Sequence, residues 1–445
     1  MEQTCDVTIT GLSHDGQGVG RLSDGQVVFV PDLLPGERAR VRIVHRARRH
    51  LIGQCEQRLS DNDHRRRPPC ILADHCGGCA LQHLDHQGQL ASKHDMVVQA
   101  LGRIGTIRSS PDAILAAASE LGYRNRAVIP LERTADGLLR AGFYRRGSHQ
   151  IVNMNRCPVL DPRLDALIEP IKRDLEQADW PVDRHLSGEG GLRHLALRIG
   201  HHSGEILITL IASHDRFDGL PELAHHWLER WPAVVGVVLN LQPKPTNTLF
   251  GAHTRPLAGR EWLSERFCNL QFQLGCDSFF QVNTPQAERV VPLLLEALQP
   301  GAATLVDAYC GVGAFSLPLA AAGHQVIGLE LQSAAVSLAR CNAQLNNLSA
   351  RASFQEGPVA EHLESLLPQV DAVLVDPPRK GLEAAVREAL IQRPVSRLLY
   401  LSCDPATLAR DLGVLLAGPY ALQRVQPIDF FPNTSHVECM AVLSS

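Results

Sequence analysis

Over the first sixty residues apolar and polar positions alternate with a period of two, interrupted by Gly, Asp and Pro turns. TCDVTITGL, GQGVGRL and the long run GQVVFVPDLLPGERARVRIVHRARRHLIGQC all carry this pattern. Ala39, Val41 and Ile43 alternate with Arg38, Arg40 and Arg42. One face of that strand can be buried while the other presents guanidinium groups. The pattern predicts a small all-β unit over residues 4–58; a solvated edge sheet is the plainer alternative. DNDHRRRPP, residues 61–69, reads as a linker. Beyond it residues 93–105 predict a helix. Strand-like runs at 124–131, 142–145, 195–199, 205–212 and 234–241 are separated by helix-like stretches at 163–177 and 220–231, which predicts a mixed α/β middle domain.

From about residue 283 the pattern changes again. Residues 285–298 predict a helix, 304–307 a strand, 308–314 a loop and 315–322 a helix. A second strand, 325–329, ends in Glu330, and 333–346 predict another helix. Strands 372–375 and 397–401 run into Asp-Pro-Pro and Ser-Cys-Asp. Short apolar strands alternating with loops and helices imply a mostly parallel sheet covered on both faces. Ligands bind such sheets beyond the strand C-termini.

Composition narrows the class. The chain has 445 residues, 44% of them hydrophobic and 20% charged, enough for several cores. No apolar run approaches the roughly 18 residues of a membrane span, and MEQTCDV carries no signal-peptide pattern. A soluble cytoplasmic protein without a membrane partner is expected. The net charge is −4, yet residues 38–67 hold ten Arg against three acids. Arginine's planar donor fork suits phosphate, so this local excess favours an N-terminal segment facing RNA or DNA.

Six groups of residues carry candidate chemistry. In Asp307-Ala-Tyr309-Cys-Gly311-Val-Gly313 the glycines allow a tight turn and close approach of a ligand. Glu330 ends the following strand, where a carboxylate can accept two ribose hydroxyls. The absence of a third glycine fits S-adenosylmethionine better than a dinucleotide. Cys70, Cys76 and Cys79, with Cys157-Pro158 further on, offer four thiols. Four thiolates suit tetrahedral zinc or an iron–sulfur cluster; unliganded buried cysteines are the third possibility. Cys403 follows an apolar strand, a poor place for core packing and a good one for a nucleophile, although a lone cysteine is more often structural. Glu438 is a lone acid in an apolar strand, costly without a partner or a task, and is the general-base candidate; a solvated strand-end acid is the alternative. Asp376-Pro-Pro-Arg379-Lys380-Gly381 follows a strand, where the Asp can orient a substrate amide and the cations can meet phosphate. Phe279-Phe280-Gln281-Val-Asn283 offers an aromatic beside an amide for reading a base, or two core phenylalanines with a capping Asn.

Taken in order, CxxxxxCGGC with a later CP, FFQVN, DAYCGVG, DPPRKG, SCDPATLARDL and HVE resemble the RNA uracil-C5 methyltransferase family, in particular the 23S rRNA branch with a TRAM domain and an iron–sulfur cluster. The resemblance covers essentially the whole chain. It implies a TRAM-like β-barrel over 1–60, a central domain with the cluster motif over 61–280, and a Rossmann-like S-adenosylmethionine-dependent catalytic domain over 281–445. It implies a 4Fe-4S cluster on Cys70, Cys76, Cys79 and Cys157, cofactor contacts from Gln281, Tyr309, Glu330 and Asp376, Cys403 as nucleophile and Glu438 as proton acceptor. Gln281 and Asp376 would also face the target base. The implied partner is 23S rRNA, with the T-loop uridine of tRNA as the alternative, and the implied state is a monomer. Many members carry Asn at the position of Ala314, and Glu356-Gly357 puts no side chain where relatives carry Asn near adenine. A non-catalytic RNA-binding or ribosome-assembly factor on the same fold is the competing class; intact Cys403, Glu438 and Glu330 weigh against it.

Overall fold

The computed structural model describes residues 4–298, 301 and 303–445, so the first three residues of the expected barrel domain lie outside the described residues. The chain forms two compact units. One comprises residues 1–120, 378–382 and 400–443; the other comprises 121–377, 383–399 and 444–445.

The alternating N-terminal pattern folds as a barrel. Strands β1 (Thr4–Leu12), β2 (Gly18–Arg21), β3 (Val27–Val30), β4 (Arg38–Arg46) and β5 (Leu51–Ser60) close in the order β1-β2-β3-β5-β4. Closure leaves no strand edge open. Ala39, Val41 and Ile43 point into a core with Val7, Ile9, Val28, Val30, Leu33 and Leu51. Arg38 and Arg40 face solvent, as the period-two pattern requires. At the barrel's base buried Glu37 accepts both fork hydrogen bonds of Arg65, at 2.5 and 2.8 Å, and the backbone N–H of Leu34 at 2.8 Å. Helix α1 (His86–Arg103) follows and starts earlier than the 93–105 expectation. Asp85 caps it by accepting the Gly88 N–H at 2.8 Å, so the polar first turn is helical.

In the second unit a six-stranded sheet has the order β11-β10-β9-β8-β6-β7. Its elements are β6 (Arg126–Arg133), β7 (Leu139–Ala141), α2 (Pro162–Gln177), β8 (Leu192–Ile199), β9 (Ile206–Ala212), α3 (Leu220–Arg230), β10 (Val234–Leu241) and β11 (His253–Gly259). The strand expected at 142–145 lies instead at Leu139–Ala141, because the chain reverses where Arg145 N–H bonds Gln150 O at 2.8 Å. A hairpin of β12 (Trp262–Phe267) and β13 (Leu270–Gly275) follows. The helix expected over 285–298 is two pieces, α4 (Thr284–Glu288) and α5 (Val290–Leu298). Pro292 has no N–H for the Glu288 carbonyl, so the first helix ends and a second begins.

The strand–helix alternation then continues with β14 (Thr304–Ala308), α6 (Ser316–Ala321), β15 (Gln325–Glu330), α7 (Ser333–Leu345), β16 (Ala352–Glu356), α8 (Val359–Leu366), β17 (Ala372–Val375) and α9 (Ala384–Gln392). Strands β16, β15, β14 and β17 pair in parallel in that order. The chain ends with β18 (Arg397–Ser402), α10 (Pro405–Leu416), β19 (Ala421–Ile428) and β20 (Glu438–Ser444), with β20 between β18 and β19. Among the described residues no helix is long and apolar enough to cross a membrane.

Candidate active site

In the second unit the C-terminal ends of the parallel strands frame a cleft. Phe279, Gln281, Asp307, Tyr309, Cys310, Gly311, Val312, Ala314, Phe315 and Asp376 line it. Tyr309 takes a left-handed conformation (φ 68°), unusual for a residue with a side chain. Its N–H and that of Cys310 both bond Leu329 O, at 2.9 and 3.0 Å, which fastens the loop to β15. Gly311 is also left-handed (φ 56°), and a Cβ there would meet open space over the loop. Glu330 accepts the Gly311 N–H at 3.1 Å and the Gln332 N–H at 2.8 Å. A carboxylate has about four acceptor sites, so capacity for two hydroxyls remains.

The electrostatics point to a cationic ligand. Asp307 is buried, accepts a hydrogen bond from Ser316 Oγ, and is pushed up to about 7 by burial and the nearby Glu330 charge. Asp376 is likewise raised to about 7 by burial and then by Asp307. Burial, with Asp307 and Glu330 close by, pushes the Cys310 thiol up as well. Asp307 and Asp376 line this aromatic-walled cleft, Glu330 stands behind its Gly311 edge without lining it, and the lining includes no basic residue among the described residues. A sulfonium and an ammonium supply the missing positive charge, and Gly311 leaves room over the backbone. The residues therefore fit S-adenosylmethionine.

FFQVN divides between its two readings. Phe280 packs in the core against Phe267 and Phe272, with ring centroids 5.5 and 5.7 Å away, and Asn283 caps α4 by accepting the Gln286 N–H. Phe279, by contrast, is 64% exposed beside the cleft. Ala314 lines the cleft. Gly357 is held by backbone geometry: its φ is 139° and a Cβ would come within 2.3 Å of the His362 ring. Asp307 is a charged cleft residue absent from the expected contact set, although its place at a strand end is visible in the sequence.

In the first unit Cys403 lies half-buried between β18 and α10. Asp404, next in sequence, caps α10 by accepting the N–H groups of Ala406 and Thr407, both at 2.9 Å. Cys403 is thus presented at a helix N-terminus, the end that favours negative charge. Glu438 is the first, half-buried residue of β20. The thiol of buried Cys439 is pushed up by burial and then by both Glu438 and Asp404. That common influence places the start of β20 near the loop after β18. The DPPRKG loop is fastened by buried Asp411, which accepts the Leu382 N–H at 2.9 Å and the Tyr400 hydroxyl at 2.8 Å. Exposed Arg379 reaches to 3.4 Å from His436 Nε2.

Cys70, Cys76 and Cys79 are half-exposed in the first unit, and Cys157 belongs to the second. The sulfurs of Cys70 and Cys76 accept the N–H groups of Leu72 and Gly78, at 3.4 and 3.5 Å. Among the described residues no three His, Cys, Asp or Glu side chains stand together so as to hold a metal ion.

The chain is similar to known RNA methyltransferases. Residues 2–55 match the TRAM domain, and residues 245–354 and 362–445 match the tRNA (Uracil-5-)-methyltransferase family. An uncharacterized RNA methyltransferase of Parasynechococcus marenigrum is 51% identical over 97% of this chain and 93% of its own length. One from Bacillus cereus is 36% identical over 99% and 96%. The crystal structure of Pyrococcus abyssi tRNA (uracil-54, C5)-methyltransferase with S-adenosyl-L-homocysteine covers 98% of this chain and 99% of its own, at 26% identity and a TM-score of 0.79. The architecture is an N-terminal TRAM-like barrel with a C-terminal Rossmann-like methyltransferase domain, and the chain belongs to the RNA (uracil-5-)-methyltransferase family.

Proposed function

We propose that this protein methylates C5 of the T-loop uridine of tRNA, with S-adenosylmethionine as methyl donor. The observation that carries the reading is the strand-end cleft, where Asp307 and Asp376, with the Glu330 charge close by, suit a cationic ligand beside exposed Phe279. The sequence resemblance put 23S rRNA first. The family model and the Pyrococcus abyssi enzyme both name tRNA, so tRNA takes precedence and 23S rRNA becomes the alternative.

C5 of uracil is a weak nucleophile. The Cys403 thiolate adds to C6, forming an S–C6 bond and moving the ring's electron pair onto C5 and O4. Bound S-adenosylmethionine supplies a methyl group as an electrophile for C5. Glu438 takes the C5 proton, the electron pair reforms C5=C6, and the Cys403 sulfur leaves. Asp376, raised to about 7 in the free protein by burial and Asp307, can accept a hydrogen bond from N3 once it is ionised. Gln281 and Tyr309 complete the contacts to cofactor and base, and Phe279 stacks on an unpaired base. The target uridine must leave its stack to reach these groups. The barrel domain, 1–60, grips RNA through its arginine face; 61–280 is the central domain and 281–445 the catalytic one.

A 4Fe-4S cluster on Cys70, Cys76, Cys79 and Cys157 is part of the proposal and rests on the donor chemistry of four thiols, two of which already accept N–H bonds. Its role is structural. Anaerobically purified protein should hold about four irons per chain; stoichiometric zinc without visible absorption rejects the cluster.

Nucleoside mass mapping of tRNA and 23S rRNA from a strain lacking the gene tests the substrate. Loss of 5-methyluridine from the T-loop, restored by wild type and not by Cys403→Ala, is expected. Loss from 23S rRNA alone keeps the chemistry and overturns the substrate.

A further inference from the structure

We propose that Lys93 is a positioning residue for the proton-removal step, acting through Asp429 on the loop that delivers Glu438. The inference rests on the proposed role of Glu438.

Lys93 sits in the middle of α1 with no exposed side-chain surface. Its Nζ donates to Asp429 Oδ1 at 2.5 Å and to the Phe431 carbonyl at 2.9 Å. The other oxygen of Asp429, also fully buried, lies 2.9 Å from His86 Nε2, about two turns earlier on the same helix. Burial alone would raise the Asp429 carboxyl; the bonds from His86 and Lys93 hold it below its ordinary range. Two well-packed apolar residues could replace such a pair at little cost in stability. What the ion pair adds is a fixed geometry, and the segment it fixes is 429–437, the irregular stretch leading into Glu438.

The same helix holds that loop a second time. Asn433 is buried in a left-handed turn (φ 67°). Its N–H donates to Gln89 Oε1 at 2.7 Å, and its Oδ1 accepts from Gln89 Nε2 at 3.3 Å and Arg66 Nη2 at 3.0 Å. Its Nδ2 donates to Glu120 O at 2.7 Å. Further along, Ser435 Oγ donates to His14 O at 2.6 Å. Helix α1 also packs against α10, the helix that begins directly after Cys403 and Asp404. A single helix therefore backs the support of the nucleophile and clamps the loop of the base.

The two steps separate experimentally. Cys403 addition and methyl transfer precede proton removal, so a misplaced Glu438 stalls the enzyme as a methylated covalent complex. For Lys93→Met, adduct formation on 5-fluorouridine RNA should stay within about 3-fold of wild type. Turnover on ordinary RNA should fall about 10- to 100-fold, the scale of a misplaced catalytic group. A denaturation-resistant complex carrying labelled methyl should accumulate on ordinary RNA, a readout that simple loss of folded protein does not produce. Lys93→Met with Asp429→Asn leaves no unpaired buried charge and should show the same stall; it decides the matter if the single variant does not fold. Equal losses of adduct formation and turnover, or no loss of either, overturn the inference. No adduct with wild-type enzyme removes the underlying role of Cys403 instead, and the inference with it.

Discussion

Two sets of buried carboxylates in this protein behave in opposite ways. Asp307 and Asp376, at the strand ends of the cleft, are pushed up to about 7 because burial and neighbouring acids act without a compensating cation. Asp429, with no exposed side-chain surface, is held low by His86 and Lys93. The first arrangement is costly for the free protein and suited to a positively charged ligand; the second is complete in itself and serves geometry. A buried acid therefore marks a binding site when its counter-charge is missing from the fold, and a clamp when the counter-charge is built in.

The comparison can be broken in several ways, beginning with the largest effect. Cys403→Ala should reduce methylation by about 10⁴-fold or more while leaving S-adenosylmethionine binding by calorimetry unchanged, since Cys403 is not among the cleft's lining residues. On the clamp side, Lys93→Met should cost about 3–5 kcal/mol of unfolding free energy in urea titration, because it strands a buried carboxylate. Asp429→Asn in addition should recover part of that loss. A simple sum of the two single losses would contradict a paired clamp. On the cleft side, Glu330→Ala removes acceptors for two ribose hydroxyls and for the Gly311 N–H. Its dissociation constant for S-adenosylmethionine should rise about 10- to 100-fold, the equivalent of one or two charged hydrogen bonds.

Smaller effects follow from the pH behaviour. Asp307 and Asp376 have raised folded values, so their contribution to stability is full below their unfolded value near 4 and is lost as the pH rises through about 7. Asp429 has a lowered value, so its contribution is present above about 4 and is lost as acid protonates it. Cofactor binding near neutral pH should therefore release protons, measured as a dependence of the calorimetric heat on buffer ionisation enthalpy. Uptake of protons would contradict the electrostatic picture of the cleft. In the barrel, Glu37 behaves like Asp429: burial opposes ionisation, and the Arg65 fork with the Leu34 and Asn62 N–H groups outweighs it. The smallest change concerns Phe279→Ala. It should alter stability by no more than about 0.5 kcal/mol, as at most exposed sites, yet raise the KM for RNA if the ring stacks on a base.

The cleft was legible because its signal is local. Short apolar strands running into Asp307, Glu330 and Asp376 can be read within windows of a few residues, and parallel pairing brings those ends together. Glu438 stood out for a similar reason, as one acid among apolar neighbours. The clamp was not legible: Lys93 and Asp429 are 336 residues apart, and Lys93 reads in the sequence as an ordinary helix lysine. Phe279 and Phe280 are identical in type, and only the packing of Phe280 against the β12–β13 hairpin separates the core ring from the exposed one. The break between α4 and α5 could have been foreseen from Pro292. The cysteine segment shows the reverse case, where a strong spacing signal meets no gathered set of ligands among the described residues.

The central claim is that Cys403 forms a covalent bond to the uridine that is methylated. Incubation of the purified protein with S-adenosylmethionine and 5-fluorouridine-substituted tRNA, followed by a denaturing gel, tests it directly. A slow-migrating protein–RNA adduct is expected with wild type and none with Cys403→Ala. An adduct that persists in Cys403→Ala, or 5-methyluridine formed on ordinary tRNA by that variant, would contradict it.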